Sequence, residues 1–301
     1  MADDFLRIKN QLPTLGIGLG LRRDMAEDTF EQSHCVDWVE IAPENFMGIG
    51  GRARDLLERA RERFPVISHG LNLSVGSTDD LSLDYLKELK LLLDSVNAPW
   101  WSDHLCFTSV GGVYMHDLLP LPFTREAVSH VAKRAKIVQN YIERPFLLEN
   151  ISFYMYPPGG ELTESQFLAE VAEEADCGLL LDVNNIYVNS INHKFDPYKF
   201  VDEIPVERTV QIHLAGHKKI KDTIIDTHGA PVVEPVHELL ECVLKRTSVM
   251  GVMLERDQNF PDFQEIVGEL NVLRQIASRT QPLLAQPSGS KEEAHARSLS
   301  A

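Results

Sequence analysis

The amino-acid sequence predicts an α/β protein of the (β/α)8 barrel class, a closed ring of parallel strands with helices outside it. Three observations lead there. Eight short apolar runs recur along the 301 residues, mostly without strict polar alternation, as parallel strands covered on both faces require. Most gaps between them hold a segment of helical period. Six of the runs end in a residue able to hold a metal, at the strand ends where barrels keep their active residues.

The runs fall at 15–21, 36–42, 65–70, 100–106, 145–150, 178–183, 208–214 and 249–255. Between the second and third, the stretch Asp55 to Phe64 places Leu56, Leu57, Ala60 and Phe64 on one face and charges opposite. Ser82 is a helix N-cap for a segment reaching Val96, with Leu83, Leu86, Leu89, Leu93 and Val96 in one stripe. Thr124 caps a long helix through Ile142, and Thr163 with Gln166 forms a capping box ahead of Phe167 to Ala175. Pro197 to Glu203 and Val236 to Lys245 supply two further helices. An open doubly wound sheet is the alternative, because a sequence does not display closure. Gly16, Gly18 and Gly20 do not make G-x-G-x-x-G, so the first turn carries no dinucleotide fingerprint.

A single domain is expected over residues 1–280. The stretch 281–301, rich in Pro, Ser, Gly and charge with little to bury, reads as a disordered tail. Apolar residues make up 44% and charged residues 25%, enough for a large core. The 29 basic and 45 acidic side chains leave −16, which repels polyanions and argues against a nucleic-acid partner. Cys35, Cys106, Cys177 and Cys242 show no C-x-x-C pair and read as reduced core thiols. No signal peptide and no run of ~18 to 20 apolar residues is present, so a cytoplasmic protein without a membrane partner is expected.

The strand-end residues are His69, His104, Glu149, Asp182, His213 and Glu255; Asn185, Asp226 and His228 are placed on nearby loops. Taken singly, each has an ordinary alternative as a helix cap or loop bridge. Taken together, those alternatives weaken, because several acids and imidazoles buried around one mouth without a cation would cost several kcal/mol per uncompensated charge. Imidazole and carboxylate donors without thiolate suit iron, manganese, zinc or nickel in an open, catalytic site. Nine donors exceed what one ion needs, so two or three bridged ions are expected. Asp103, just before His104, and His217, four residues after His213, are the candidate catalytic residues outside the ligand set, each able to hold a ligand imidazole in one tautomer, with a surface or loop role as the alternative.

In these motifs the chain resembles the multinuclear non-heme iron-dependent oxidative enzymes that modify ribosomally made peptides, among them the oxidase of methanobactin biosynthesis. The resemblance is carried by residues 16–22 (GIGLGLR), 39–45 (VEIAPEN), 68–71 (SHGL), 102–105 (SDHL), 148–150 (LEN), 181–185 (LDVNN), 211–217 (QIHLAGH), 226–229 (DTHG) and 254–257 (LERD), spread over about residues 13 to 275. It implies a TIM barrel of the xylose-isomerase-like superfamily. It further implies that His69, His104 and Glu149 hold one iron, that Glu149 bridges to a second held by Asp182, His213 and Glu255, and that Asn185, Asp226 and His228 hold a third. The implied cofactor is a mixed-valent Fe(II)/Fe(III) cluster with O2 as co-substrate. The implied substrate is a ribosomally synthesised precursor peptide, modified at cysteine and captured by a separate small leader-peptide-recognition protein.

The zinc repair endonucleases of the same superfamily resemble this chain at most ligand positions but place a histidine where Asn185 stands. A neutral carboxamide sits less comfortably on zinc. A zinc- or manganese-dependent endonuclease or phosphatase is therefore the second reading, with a sugar isomerase and a non-catalytic iron scaffold behind it.

Overall fold

The structure is a computed structural model that describes residues 4–286. Eight parallel strands close into a barrel: β1 (Gly16–Gly20), β2 (Trp38–Ile41), β3 (Val66–Gly70), β4 (Trp101–His104), β5 (Phe146–Glu149), β6 (Gly178–Asp182), β7 (Thr209–Ala215) and β8 (Gly251–Glu255). Each pairs with its sequence neighbours, and β1 pairs with β8 to complete the ring. Seven of the eight expected runs contain one of these strands, and the run 208–214 covers all of β7 except Ala215.

Closure follows from what the runs bury. Side chains alternate across a strand, so residues two apart share a face. Inside the ring, Trp38, Ile67, Leu147, Leu180 and Met253 join Leu15, Trp100 and Val210 in one apolar plug, sealed from the amino-terminal end by Phe5 of the helix Asp4–Lys9. Residues one step beyond Trp38, Leu147, Leu180 and Met253, namely Val39, Leu148, Leu181 and Leu254, point outward into the larger core beneath the helices. Both faces are therefore apolar at this level, which is why strict alternation was absent from the sequence.

The helices that pack on this outer core end where local chemistry dictates. The Ser82 and Thr124 side chains accept the backbone N–H of Tyr85 and Ala127, and Thr163 with Gln166 closes a reciprocal capping box. The first expected helix runs over Arg52–Arg61 instead of from Asp55, and the last of those expected over Glu234–Leu244.

Three features depart from the expected pattern. A helix, Val183–His193, begins immediately after β6, so Asn185 stands in its first turn instead of on a loop. Two hairpins, Phe107–Val110 with Val113–Leu119 and His217–Ile220 with Thr223–Asp226, rise after β4 and β7, and Asp226 ends the second. Of the expected tail 281–301, Pro282–Ala285 forms a helical turn that buries Leu284, while 287–301 lie outside the described residues. Among the described residues, no helix is long and apolar enough to cross a membrane.

Candidate metal centre

The alternation that fills the barrel floor also builds its mouth. Two residues beyond Ile67, Leu147, Leu180 and Met253 on the same inward face stand His69, Glu149, Asp182 and Glu255. His104 and His213 follow Ser102 and Gln211 by the same step, and all six ligand candidates are buried. A polar layer therefore rests on an apolar one.

Glu149 is at the centre. Its Oε2 lies 2.8 Å from His69 Nε2 and 3.0 Å from His104 Nε2, and those two nitrogens are 3.1 Å apart. Its Oε1 lies 3.2 Å from His213 Nδ1, which is in turn 3.6 Å from Glu255 Oε2. His228, held in a left-handed backbone conformation at φ 49°, brings Nδ1 to 3.4 Å from Glu255 Oε2 and Nε2 to 2.9 Å from Asp226 Oδ2. Four overlapping triads result, each with donor atoms within 4.8 Å of one another: His69–His104–Glu149, Glu149–Asp182–His213, Asp182–His228–Glu255 and Glu40–His213–Glu255.

The far nitrogens of the imidazoles are engaged elsewhere. His104 Nδ1 lies 3.0 Å from the Gly70 carbonyl and His69 Nδ1 2.8 Å from Ser102 Oγ. A carbonyl only accepts, so His104 carries its proton on Nδ1 and turns the Nε2 lone pair to the centre. Glu149 Oε2, Asp182 Oδ2, Asn185 Oδ1 and His213 Nδ1 are buried without a hydrogen bond. Leaving a buried acceptor unsatisfied costs about 1–3 kcal/mol. These orphaned lone pairs fit a cluster of cations, and a donor set of nitrogen and oxygen without sulfur fits iron, manganese or zinc.

The electrostatics agree. Burial raises the Glu149 carboxyl, but His69, His104 and His213 outweigh it and hold its pKa well below the ordinary value. Asp182 is driven well above its ordinary value, by burial first and then by Glu149, Asp226 and Glu255. His69 rises to about 9 because Glu149 overcomes its burial. Without a cation, the imidazoles favour the ionised form of Glu149, while burial and the neighbouring acids favour the protonated form of Asp182.

The expected third set is only partly assembled as such. His228 groups with Asp182 and Glu255, Asp226 touches His228, and Asn185 donates its amide N–H to the Asn150 carbonyl. Neither candidate catalytic residue holds a ligand imidazole. Asp103 faces away from the mouth, where its carboxylate accepts the backbone N–H of His104 and Leu73, and burial raises its pKa to about 7. The one-residue offset from His104 puts it on the outer face of β4. His217 Nδ1 lies 2.8 Å from Asn184 Oδ1, and Asn184 donates to Asp226, so this chain supports a carboxylate. Arg256 pairs with Glu269, and Asp257 takes Arg22 and His228.

Sequence reasoning missed Glu40. It sits inside the second apolar run, not at its end, yet it is buried against His213. The signal was there: a lone carboxylate in an otherwise apolar strand.

With this geometry in view, comparison with known proteins places the chain. Residues 16–278 match the family described as "RiPP precursor modification enzyme MbnB/TglH/ChrH". The chain belongs to that family. A relative from Caulobacter vibrioides, named only a UPF0276 protein, is 45% identical over 263 residues, covering 87% of this chain and 94% of its own. One from Shewanella sediminis, similarly named, is 43% identical over 272 residues, covering 90% and 97%. Among solved structures, 3-keto-D-glucoside 4-epimerase from E. coli superposes with a TM-score of 0.56 at 13% identity, covering 87% of this chain and 99% of its own. Endonuclease IV from Thermus thermophilus superposes at 0.54 and 16% identity, covering 88% and 99%, and a xylose isomerase domain protein from Planctomyces limnophilus at 0.54 and 10%, covering 89% and 99%. The fold is thus a xylose-isomerase-like TIM barrel, and the family acts on ribosomally made precursor peptides.

Proposed function

We propose that this protein is a multinuclear, iron- and O2-dependent oxidase that modifies a cysteine of a ribosomally synthesised precursor peptide, delivered by a separate small leader-binding protein. The observation that carries the reading is the convergence of orphaned, buried imidazole and carboxylate donors at the barrel mouth of a chain from a peptide-modifying family. His69, His104 and Glu149 would hold one ion, with Glu149 shared by a second held by Asp182, His213 and Glu255. Asn185, Asp226 and His228 would complete a third site.

Bound iron supplies one-electron redox chemistry with O2 and a cationic anchor for a substrate thiolate. The protein's own part is to orient and to exclude. The Gly70 carbonyl and Ser102 fix the rings of His104 and His69, so their lone pairs need no reorganisation when an ion binds. The apolar plug closes the barrel beneath the cluster and leaves the mouth as the way in. At the rim, Tyr154, Met155 and Tyr156 are exposed on the loop after β5, and the Tyr154 hydroxyl accepts the Asp226 backbone N–H. That loop presents apolar surface for a peptide next to a candidate ligand.

Metal analysis after anaerobic purification is the test, with about two to three irons per chain expected and both oxidation states in the Mössbauer spectrum. Coexpression with the genomically neighbouring precursor should give a mass change that requires iron and O2. Stoichiometric zinc, with peptide modification independent of O2 or cleavage of an abasic-site duplex in its place, would overturn the proposal.

A further inference from the structure

We propose that the outer edge of the hairpin strand His217–Ile220 docks an extended, acidic segment of the substrate peptide, which adds to the hairpin as a third strand. The proposal rests on the peptide substrate proposed above, but it needs neither iron nor O2.

The hairpin is a two-stranded sheet whose two outer edges differ. Antiparallel pairs alternate between residues that exchange backbone hydrogen bonds and residues whose N–H and C=O point away from each other. Along Thr223–Asp226 the outward groups are occupied. The Ile224 N–H donates to Asn192 Oδ1 at 2.9 Å, the Asn192 amide donates to the Ile224 carbonyl at 2.8 Å, and the Asp226 N–H donates to the Tyr154 hydroxyl at 3.1 Å. Register then fixes the opposite strand. Lys219 is the partner of Ile224 and His217 of Asp226, so the peptide groups of Lys219 and His217 point outward on the other side. There Lys218, Lys219, Ile220 and Lys221 are exposed, and among the described residues no loop or side chain takes up the Lys219 peptide groups. One edge is closed and the other open.

Charge selects the occupant. Lys218, Lys219 and Lys221 make no ion pair among the described residues, in a chain with 45 acidic and 29 basic side chains. Like charges facing each other across strands are unfavourable, so this edge repels a second copy of itself, which is how lysines keep edge strands from pairing indiscriminately. A strand of opposite charge fits it, with backbone hydrogen bonds supplying affinity and lysines supplying selection. The place suits a substrate. The strand begins one residue after β7 ends, and His217 reaches Asp226 through Asn184, so one end of the edge lies at the candidate metal centre. From there it extends outward by about 3.3 Å per residue.

The test titrates the full chain with short fluorescein-labelled peptides in which valine alternates with glutamate, threonine or lysine, read by fluorescence anisotropy. The glutamate peptide should bind tightest and weaken with salt. Lys218→Glu, Lys219→Glu and Lys221→Glu together should weaken it about tenfold. Lys219→Pro removes the outward N–H without breaking a ladder bond, a change that edge strands tolerate, and should weaken it about three- to tenfold beyond Lys219→Ala. If Lys219→Pro disturbs the hairpin, N-methylation of alternate residues of the glutamate peptide makes the same deletion from the other side. Absence of glutamate-peptide binding, equal binding of all three peptides, or binding unmoved by the charge reversals or by the backbone deletions overturns the proposal. So does a leader-binding protein that slows exchange of the Lys219 amide with no peptide present. Coexpression with the precursor separates this edge from the oxidase. Unmodified precursor beside intact glutamate-peptide binding would overturn the oxidase alone, whereas full modification by the charge-reversed protein would overturn the docking edge alone.

Discussion

Asp182 shows what a single residue contributes here. Its Oδ1 accepts the Asn185 N–H and so caps a helix, while its Oδ2 is buried, unbonded and surrounded by Glu149, Asp226 and Glu255. In the metal-free protein its ionised form is disfavoured, and a divalent ion removes that cost. Chelation should therefore lower the wild-type melting temperature by several degrees, by linkage. Asp182→Asn should keep the cap, lose metal and melt at a temperature that chelator no longer changes; calorimetry with and without chelator checks this. Lys9 gives a cleaner pH test far from the cluster. Burial lowers its pKa to about 8 while its ammonium donates to the Glu207 carbonyl. Between about pH 8 and 10.5 the unfolded chain keeps a proton that the folded chain has released, so stability relative to Lys9→Met should rise with pH, by about 1–3 kcal/mol across that window. Urea melts of both proteins at pH 7.5 and pH 10 measure it. Cys106 and Cys177 are buried, and Cys177 is pushed by burial to about 12, so native thiol titration should find only Cys35 and Cys242 reactive.

At the scale of elements, the parts most legible in the sequence were those whose signals are local. Thr163 and Gln166 cap their helix as their spacing predicts, and Thr163→Ala should cost about 1 kcal/mol without altering metal content, a pair of results that denaturant melts and metal analysis give directly. The helix Val183–His193 escaped notice because Asp182 serves at once as strand end, N-cap and candidate ligand, and because Val, Ile and Asn are weak helix formers. The hairpin after β4 had a visible signal in Gly111-Gly112 between two β-rich stretches, both glycines adopting positive φ. Asp103 was misplaced for a simpler reason. Adjacency in sequence is opposition in a strand.

For the molecule as a whole, the barrel separates stability from chemistry along its axis. Phe5 closes the floor among Leu15, Trp38, Trp100, Leu147 and Leu180, and the candidate ligands lie above it. Phe5→Ala should cost about 3–5 kcal/mol through the cavity it leaves, with little change in bound metal; a shift in the denaturation midpoint at constant metal stoichiometry is the expected result.

Eight apolar runs and the strand-end placement of most candidate donors could be read from the chain alone, because each depends on neighbours a few residues away. Which candidates lie together could not. The grouping of His228 with Asp182 and Glu255, the outward turn of Asp103 and the approach of Glu40 to His213 depend on how strands far apart in sequence align around a closed ring. Distances between such strands are set by register and closure, and no local pattern of residues encodes them.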